Sequence, residues 1–194
     1  MKKFLMSGVF LTAAASIAVL ALGAAPAGKT KADPVARGKY LVTTSACNDC
    51  HTPKKMGPKG PEIDMSRQLM GYVATPMPAA PASSGAWPIH ANDQLTAWAG
   101  PWGVSYARNL TPDQNTGIGS WSEETFIKAI RSGKHMGVSR PILPPMPWEV
   151  YRQMTDQDLK AIYAYLRTIP AISNPTPDPL PPPASPAPAA TKKK

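Results

Sequence analysis

The sequence predicts an all-α fold broken by long irregular loops. Three observations carry that expectation. Helical signals frame three stretches with apolar residues at helical spacing, near residues 33–42, 122–132 and 155–166. No strand run flanks the cysteine cluster at 47–51. The chain holds 24 prolines in 194 residues and only 17% charged residues, against roughly 25% in soluble domains, which excludes a continuous bundle or a coiled coil.

In chain order, residues 1–27 read as an export signal. Lys2 and Lys3 precede an uncharged run from Phe4 to Leu22, and Ala25-Pro26-Ala27 fits an A-x-A cleavage site. The competing reading is an uncleaved anchor, since that run approaches the ~20 residues that span a bilayer. Small residues follow the run, which favours cleavage and a periplasmic domain. Residues 28–173 form the expected single domain. The first helix starts where Asp33 caps and Pro34 takes the first helical position, with Val35, Gly38, Leu41 and Val42 on one face. Residues 52–108 show little periodicity and hold Pro53, Pro58, Pro61, Pro88 and Pro101, so they read as a long loop with short helical turns near 64–70 and 93–97. Ser122 caps the next helix, Glu123 and Glu124 fill its first turn, and Gly133 ends it. A proline loop, 141–147, follows. Thr155 with Asp158 starts the last helix, whose stripe is Leu159, Ile162, Tyr163 and Leu166, and Pro170 stops it. Residues 174–194 hold eight prolines and no apolar periodicity, and read as a disordered tail.

Formal charge is +9, and falls to +5 once the signal and tail are set aside. With no interleaved basic and aromatic stripe, that is too mild to indicate nucleic acid.

The two cysteines stand together in Cys47-Asn48-Asp49-Cys50-His51. A redox disulfide lacks the βαβ setting it would need, and a structural zinc site lacks ligands, since only His90 and His135 remain. C-x-x-C-H uses every residue: two thiols at fixed separation add to the two vinyl groups of a haem, and His51 reaches the iron. One motif implies one covalent haem c. For the sixth ligand, Met146 stands among Pro144, Pro145 and Pro147, which stiffen its loop. Met136, Met154, His90 and His135 are the alternatives.

The arrangement resembles class I cytochromes c. Asn109-Leu110-Thr111-Pro112-Asp113, Thr116-Gly117-Ile118-Gly119, Trp121-Ser122, Ala129-Ile130-Arg131-Ser132-Gly133, Pro145-Met146-Pro147-Trp148 and Thr155 to Arg167 are similar to the cytochrome c modules of membrane-bound alcohol and gluconate dehydrogenases. Those subunits often carry three haems, and this chain has one motif. The resemblance implies a helical fold around a haem with His51 and Met146 as axial ligands, and electron transfer as the activity. It implies contact of Gly38 and Tyr40 with Tyr165 or Leu166, and a backbone carbonyl at Pro61, in preference to Pro58, accepting the second N–H of His51. Trp121, Arg108 and Arg140 are candidate propionate partners. Lys54, Lys55 and Lys59 are candidates for a docking ring at the haem edge. The expected partners are a redox donor and acceptor, such as a dehydrogenase, an oxidase or a respiratory complex, with a membrane surface as a further candidate. The alternatives are an open-iron haem protein of peroxidase or gas-binding type, and a fixed cytochrome subunit of a dehydrogenase.

Overall fold

The computed structural model describes residues 33–74 and 88–182. The export signal at 1–27, Met77 and the last twelve residues lie outside them. Helix α1 (Pro34–Thr44) is capped as its sequence dictates, with the Val35 N–H donating to Asp33 Oδ1 at 2.9 Å. Its buried face is Gly38, Leu41 and Val42. Helix α2 (Cys47–His51) is one turn carrying the cysteine motif. Helix α3 (Glu123–Ser132) is capped by Ser122, whose Oγ accepts from Thr125 N–H at 3.1 Å, and ends at Gly133 with φ 64°. Short α4 (Trp148–Tyr151) follows the proline loop. Helix α5 (Asp156–Leu166) is capped by Thr155, which accepts from Asp158 N–H at 3.1 Å. The Asp158 carboxylate does not close a capping box; it accepts from Arg37 Nε at 3.0 Å and ties α5 to α1.

The main core lies where α1 packs on α5 and α3 closes one side, around Val42, Leu69, Ile118, Phe126, Leu159 and Leu166. Gly38 permits the α1–α5 approach: a Cβ there would lie 2.6 Å from the Ala161 carbonyl carbon and 2.8 Å from Tyr165 Cβ. The expected contact of Gly38 with Tyr165 is therefore present. Tyr40 instead faces solvent, with Arg37 over its ring.

The all-α expectation needs correction between the cysteine motif and Asn109. Strands β1 (Lys54–Gly57) and β2 (Gly60–Ile63) form a hairpin, and β3 (His90–Ala91), β4 (Ala97–Gly100) and β5 (Gly103–Tyr106) form a three-stranded antiparallel sheet. The expected turn near 64–70 is present as a 3₁₀ turn at Met65–Arg67, whereas the stretch expected as a helical turn at 93–97 is a non-helical turn at 93–96 that leads into β4 at Ala97. A segment this long, packed against a core, must satisfy its N–H and C=O groups, and ladder pairing does so.

The domain also extends past its expected end at 173. Asn174 is buried, and its Nδ2 donates to Met70 O at 2.7 Å and Tyr72 O at 2.8 Å. Leu180 pairs with Val104 through two backbone bonds of 2.9 Å. Proline-rich chain orders here because its carbonyls and one asparagine meet partners already fixed in the domain. Among the described residues, no helix is long and apolar enough to cross a membrane.

Candidate haem site

Helical spacing places Cys47, Cys50 and His51 at i, i+3 and i+4, on one face of α2. All three line a cavity of about 460 Å³, within the roughly 300–1,000 Å³ span of cofactor sites. Cys47 and Cys50 are not joined in a disulfide. Burial pushes Cys47 up to about 11 and raises Cys50, so both are neutral thiols.

His51 Nδ1 lies 2.8 Å from the carbonyl oxygen of Arg108, to which its N–H donates. This corrects the expected acceptor at Pro61, which sits in β2 opposite Met56. The cause is a chain crossing 57 residues away. Tyr72 N–H donates to Ala107 O at 2.9 Å, and Gly71 N–H donates to His51 O at 2.8 Å. Gly71 has φ 81°, and a Cβ there would lie 2.7 Å from Arg108 O, so a bare backbone is needed at this crossing. With Nδ1 committed, Nε2 is the nitrogen left to bind a metal. Burial lowers the basicity of the ring, opposed by the Arg108 carbonyl, so the neutral imidazole needed for ligation is favoured.

The motif is held from its far end as well. Thr52 Oγ1 donates to Asn48 Oδ1 at 3.0 Å and accepts from Leu69 N–H at 2.9 Å. Lys54 Nζ donates to Asp49 O at 2.6 Å and Thr52 O at 2.8 Å, and is buried. Lys54 therefore braces the end of α2 and is lost to the expected docking ring; Lys55 and Lys59 are exposed on the hairpin.

Among the described methionines, Met136, Met146 and Met154 line the cavity, and Met56 and Met65 are exposed on the outer surface. His135 lines it too, edge-on to Trp121 with centroids 5.3 Å apart; His90 lies in β3. The loop carrying Met146 is anchored by Ser105 of β5, whose Oγ donates to Pro144 O at 2.5 Å. Tyr151 just after it donates to Ser45 O at 2.7 Å, at the end of α1. Sequence reasoning passed over both anchors, since nothing local links residues 39 and 106 positions apart.

Trp121, Arg108 and Arg140 all line the cavity. Desolvation by burial lowers both guanidinium pKa values, with each other's charge adding for Arg108 and Asp178 opposing. Arg140 Nη2 and Thr176 Oγ1 are buried with no hydrogen-bond partner among the described residues. Two thiols, an oriented imidazole, apolar walls and orphaned donors fit a haem, which Cys47 and Cys50 would hold covalently and whose carboxylates Arg108 and Arg140 would pair with.

These features fit a protein that holds haem c covalently. The cytochrome c family model matches residues 35–170, and the chain belongs to that family. It is similar to the gluconate 2-dehydrogenase cytochrome c subunit of Pantoea cypripedii, 32% identical over 68% of this chain and 22% of that one. It is also similar to the fructose dehydrogenase cytochrome subunit of Gluconobacter japonicus, 29% identical over 69% of this chain and 21% of that one. The cytochrome c subunit of the quinone alcohol dehydrogenase of Gluconobacter oxydans strain 621H is 26% identical over 80% of this chain and 25% of its own length. The chain thus spans about a quarter or less of the relatives it matches.

Proposed function

We propose that this chain is an exported one-electron carrier with a single haem c, ligated by His51 and Met146, working between a donor such as a dehydrogenase and an acceptor such as an oxidase or respiratory complex. The observation that carries the reading is the cavity wall itself. The cysteine motif lines it together with the Met146 loop, and that loop is pinned by Ser105. When bound, the haem supplies an iron that changes charge by one unit. The residues do the rest. Cys47 and Cys50 fix the group covalently. Arg108 O holds the His51 ring in one tautomer and orientation. Leu110, Ile118 and Phe126 on the wall exclude water. A thioether on a tethered loop keeps the ligand set the same in both redox states and raises the potential. Met146 is chosen over its two neighbours because Met136 is 44% exposed and Met154 packs into the apolar cluster.

Export rests on residues 1–27, and N-terminal sequencing of the mature protein beginning near Gly28 would support it. Spin state and carbon monoxide uptake test the carrier reading: a closed site is low-spin in both redox states and takes up the gas poorly. Ready uptake by a high-spin ferrous protein favours an open-iron catalyst or sensor instead.

The relatives favour a second reading, since each is named as a cytochrome subunit of a dehydrogenase. Haem-stained native gels of host membranes distinguish the two. A diffusing carrier runs free at low mass, and a fixed subunit comigrates with dehydrogenase activity.

A further inference from the structure

As far as Pro182, the chain after α5 stays on the domain. Residues 174–182 run back across it as a strap, beyond the span 35–170 that matches the family. Its first residue is nailed down by Asn174, which bonds two backbone carbonyls. Asn174 N–H also donates to Thr116 Oγ1 at 2.9 Å. Its far end pairs with β5 at Leu180. Gly103 of β5 has φ 95°, and a Cβ there would lie 2.6 Å from Pro181 C and 2.7 Å from Pro182 N, so the strand is cut back to let the strap pass. Between these anchors, Pro175, Thr176 and Pro179 form part of the cavity wall. Arg108 Nη1 donates to Thr176 O at 2.8 Å and Pro177 O at 3.0 Å. Asp178 Oδ1 lies 3.9 Å from Arg108 Nη1 and 3.8 Å from Arg140 Nε.

Two buried donors at this wall, Arg140 Nη2 and Thr176 Oγ1, have no partner among the described residues. A buried donor without a partner has lost its water and gained nothing in return, so a wall with two of them calls for an acceptor inside the cavity. A carboxylate supplies acceptor lone pairs at both oxygens. We propose that the strap is a binding element for the carboxylate edge of the haem: Thr176 Oγ1 and Arg140 Nη2 donate to a propionate, and Asp178 tempers the positive charge of the two guanidiniums. This rests on the haem reading above, and on the cavity being the haem's. Asp178 is 87% exposed, so it adds little to holding the strap and acts through the field at the arginines.

The proposal gives the two strap residues opposite effects on the reduction potential. Losing the Thr176 donor leaves propionate charge less compensated and favours the ferric state. Losing the Asp178 charge leaves arginine charge less compensated and favours the ferrous state. The experiment is spectroelectrochemistry of the full-length holoprotein with Thr176→Val, Thr176→Ser and Asp178→Asn, with resonance Raman of the propionate bending modes. Thr176→Val should lower the reduction equilibrium constant severalfold and shift those modes, and Thr176→Ser should restore both. Asp178→Asn should raise the constant by less than about tenfold, a shift that shrinks as salt rises; tenfold is 59 mV for one electron. Unchanged potential and modes in Thr176→Val, or shifts of the same sign in Thr176→Val and Asp178→Asn, overturn the strap's role while covalent haem in the mass spectrum leaves the haem reading standing. A wild-type protein without covalent haem overturns both.

Discussion

Adding one methyl group at Gly38 tests how the haem-bearing shell is assembled. Gly38 sits on α1 against the backbone of α5, and a Cβ would lie 2.6 Å from Ala161 C, 2.8 Å from Tyr165 Cβ and closer still to Ala161 O. Ordinary contact begins near 3.4 Å. The neighbours are mostly backbone, so no rotamer change relieves the overlap, and the helices must separate by about 0.8 Å or more. A gap of roughly that size forfeits a quarter to a half of each dispersion contact across the interface, which here includes Val42 and Leu166, each 1% exposed. Overpacking costs about 1–3 kcal/mol and sometimes more. Alanine's better helix propensity offsets about 1 kcal/mol. With the parted interface included, Gly38→Ala should lose about 2–3 kcal/mol, lowering Tm by roughly 4–12 °C at 2–4 °C per kcal/mol. Thermal unfolding followed by far-ultraviolet circular dichroism reads this directly. Lys39→Ala, the next residue but exposed, should change stability by less than about 0.5 kcal/mol. A Gly38→Ala protein as stable as Lys39→Ala would refute the close packing of α1 on α5.

Two further outcomes follow from side chains that hold loops. Ser105→Ala leaves Pro144 O without its donor and should loosen the Met146 loop by about 1 kcal/mol, several-fold in loop-open population; the ferric sulfur-to-iron band should then fade at a lower temperature than in wild type, while the unfolding Tm barely moves. An unchanged fading temperature would show that Ser105 does not support that loop. Asp64 is held at about 2, first by the Ser66 hydroxyl and then by Arg67, against an ordinary 3.8. Its folded value is depressed, so its stabilisation is complete above the ordinary value and drains as pH falls through about 2. The stability gap between wild type and Asp64→Asn, from denaturant titrations, should be widest near neutral pH and close below about pH 2; a gap that stays constant would contradict this.

What the sequence disclosed was local chemistry. Asp33, Ser122 and Thr155 cap helices because a side-chain oxygen needs only the next two or three N–H groups, and Gly133 ends α3 because the left-handed turn is a property of that residue. The C-x-x-C-H turn is equally local. The sheet strands stayed hidden because they are four residues or fewer and their alternation is disguised. In β5 the buried positions are Gly103 and Ser105, one bare to pass the strap and one polar to hold Pro144 O. The acceptor for His51, the second job of Lys54 and the ordering of residues 174–182 all depend on chain segments meeting across long separations. A proline-rich composition signals a poor core former, and cannot report that Asn174 will find two carbonyls waiting.

On the proposed function, His51 and Met146 would close the iron from both sides. Near-infrared absorption of the ferric protein tests it most directly. The wild type should show the weak sulfur-to-iron charge-transfer band, Met146→Ala should lose it and gain affinity for added ligands, and Met136→Ala and Met154→Ala should keep it. A band that survives Met146→Ala, or is absent from the wild type, would contradict the account.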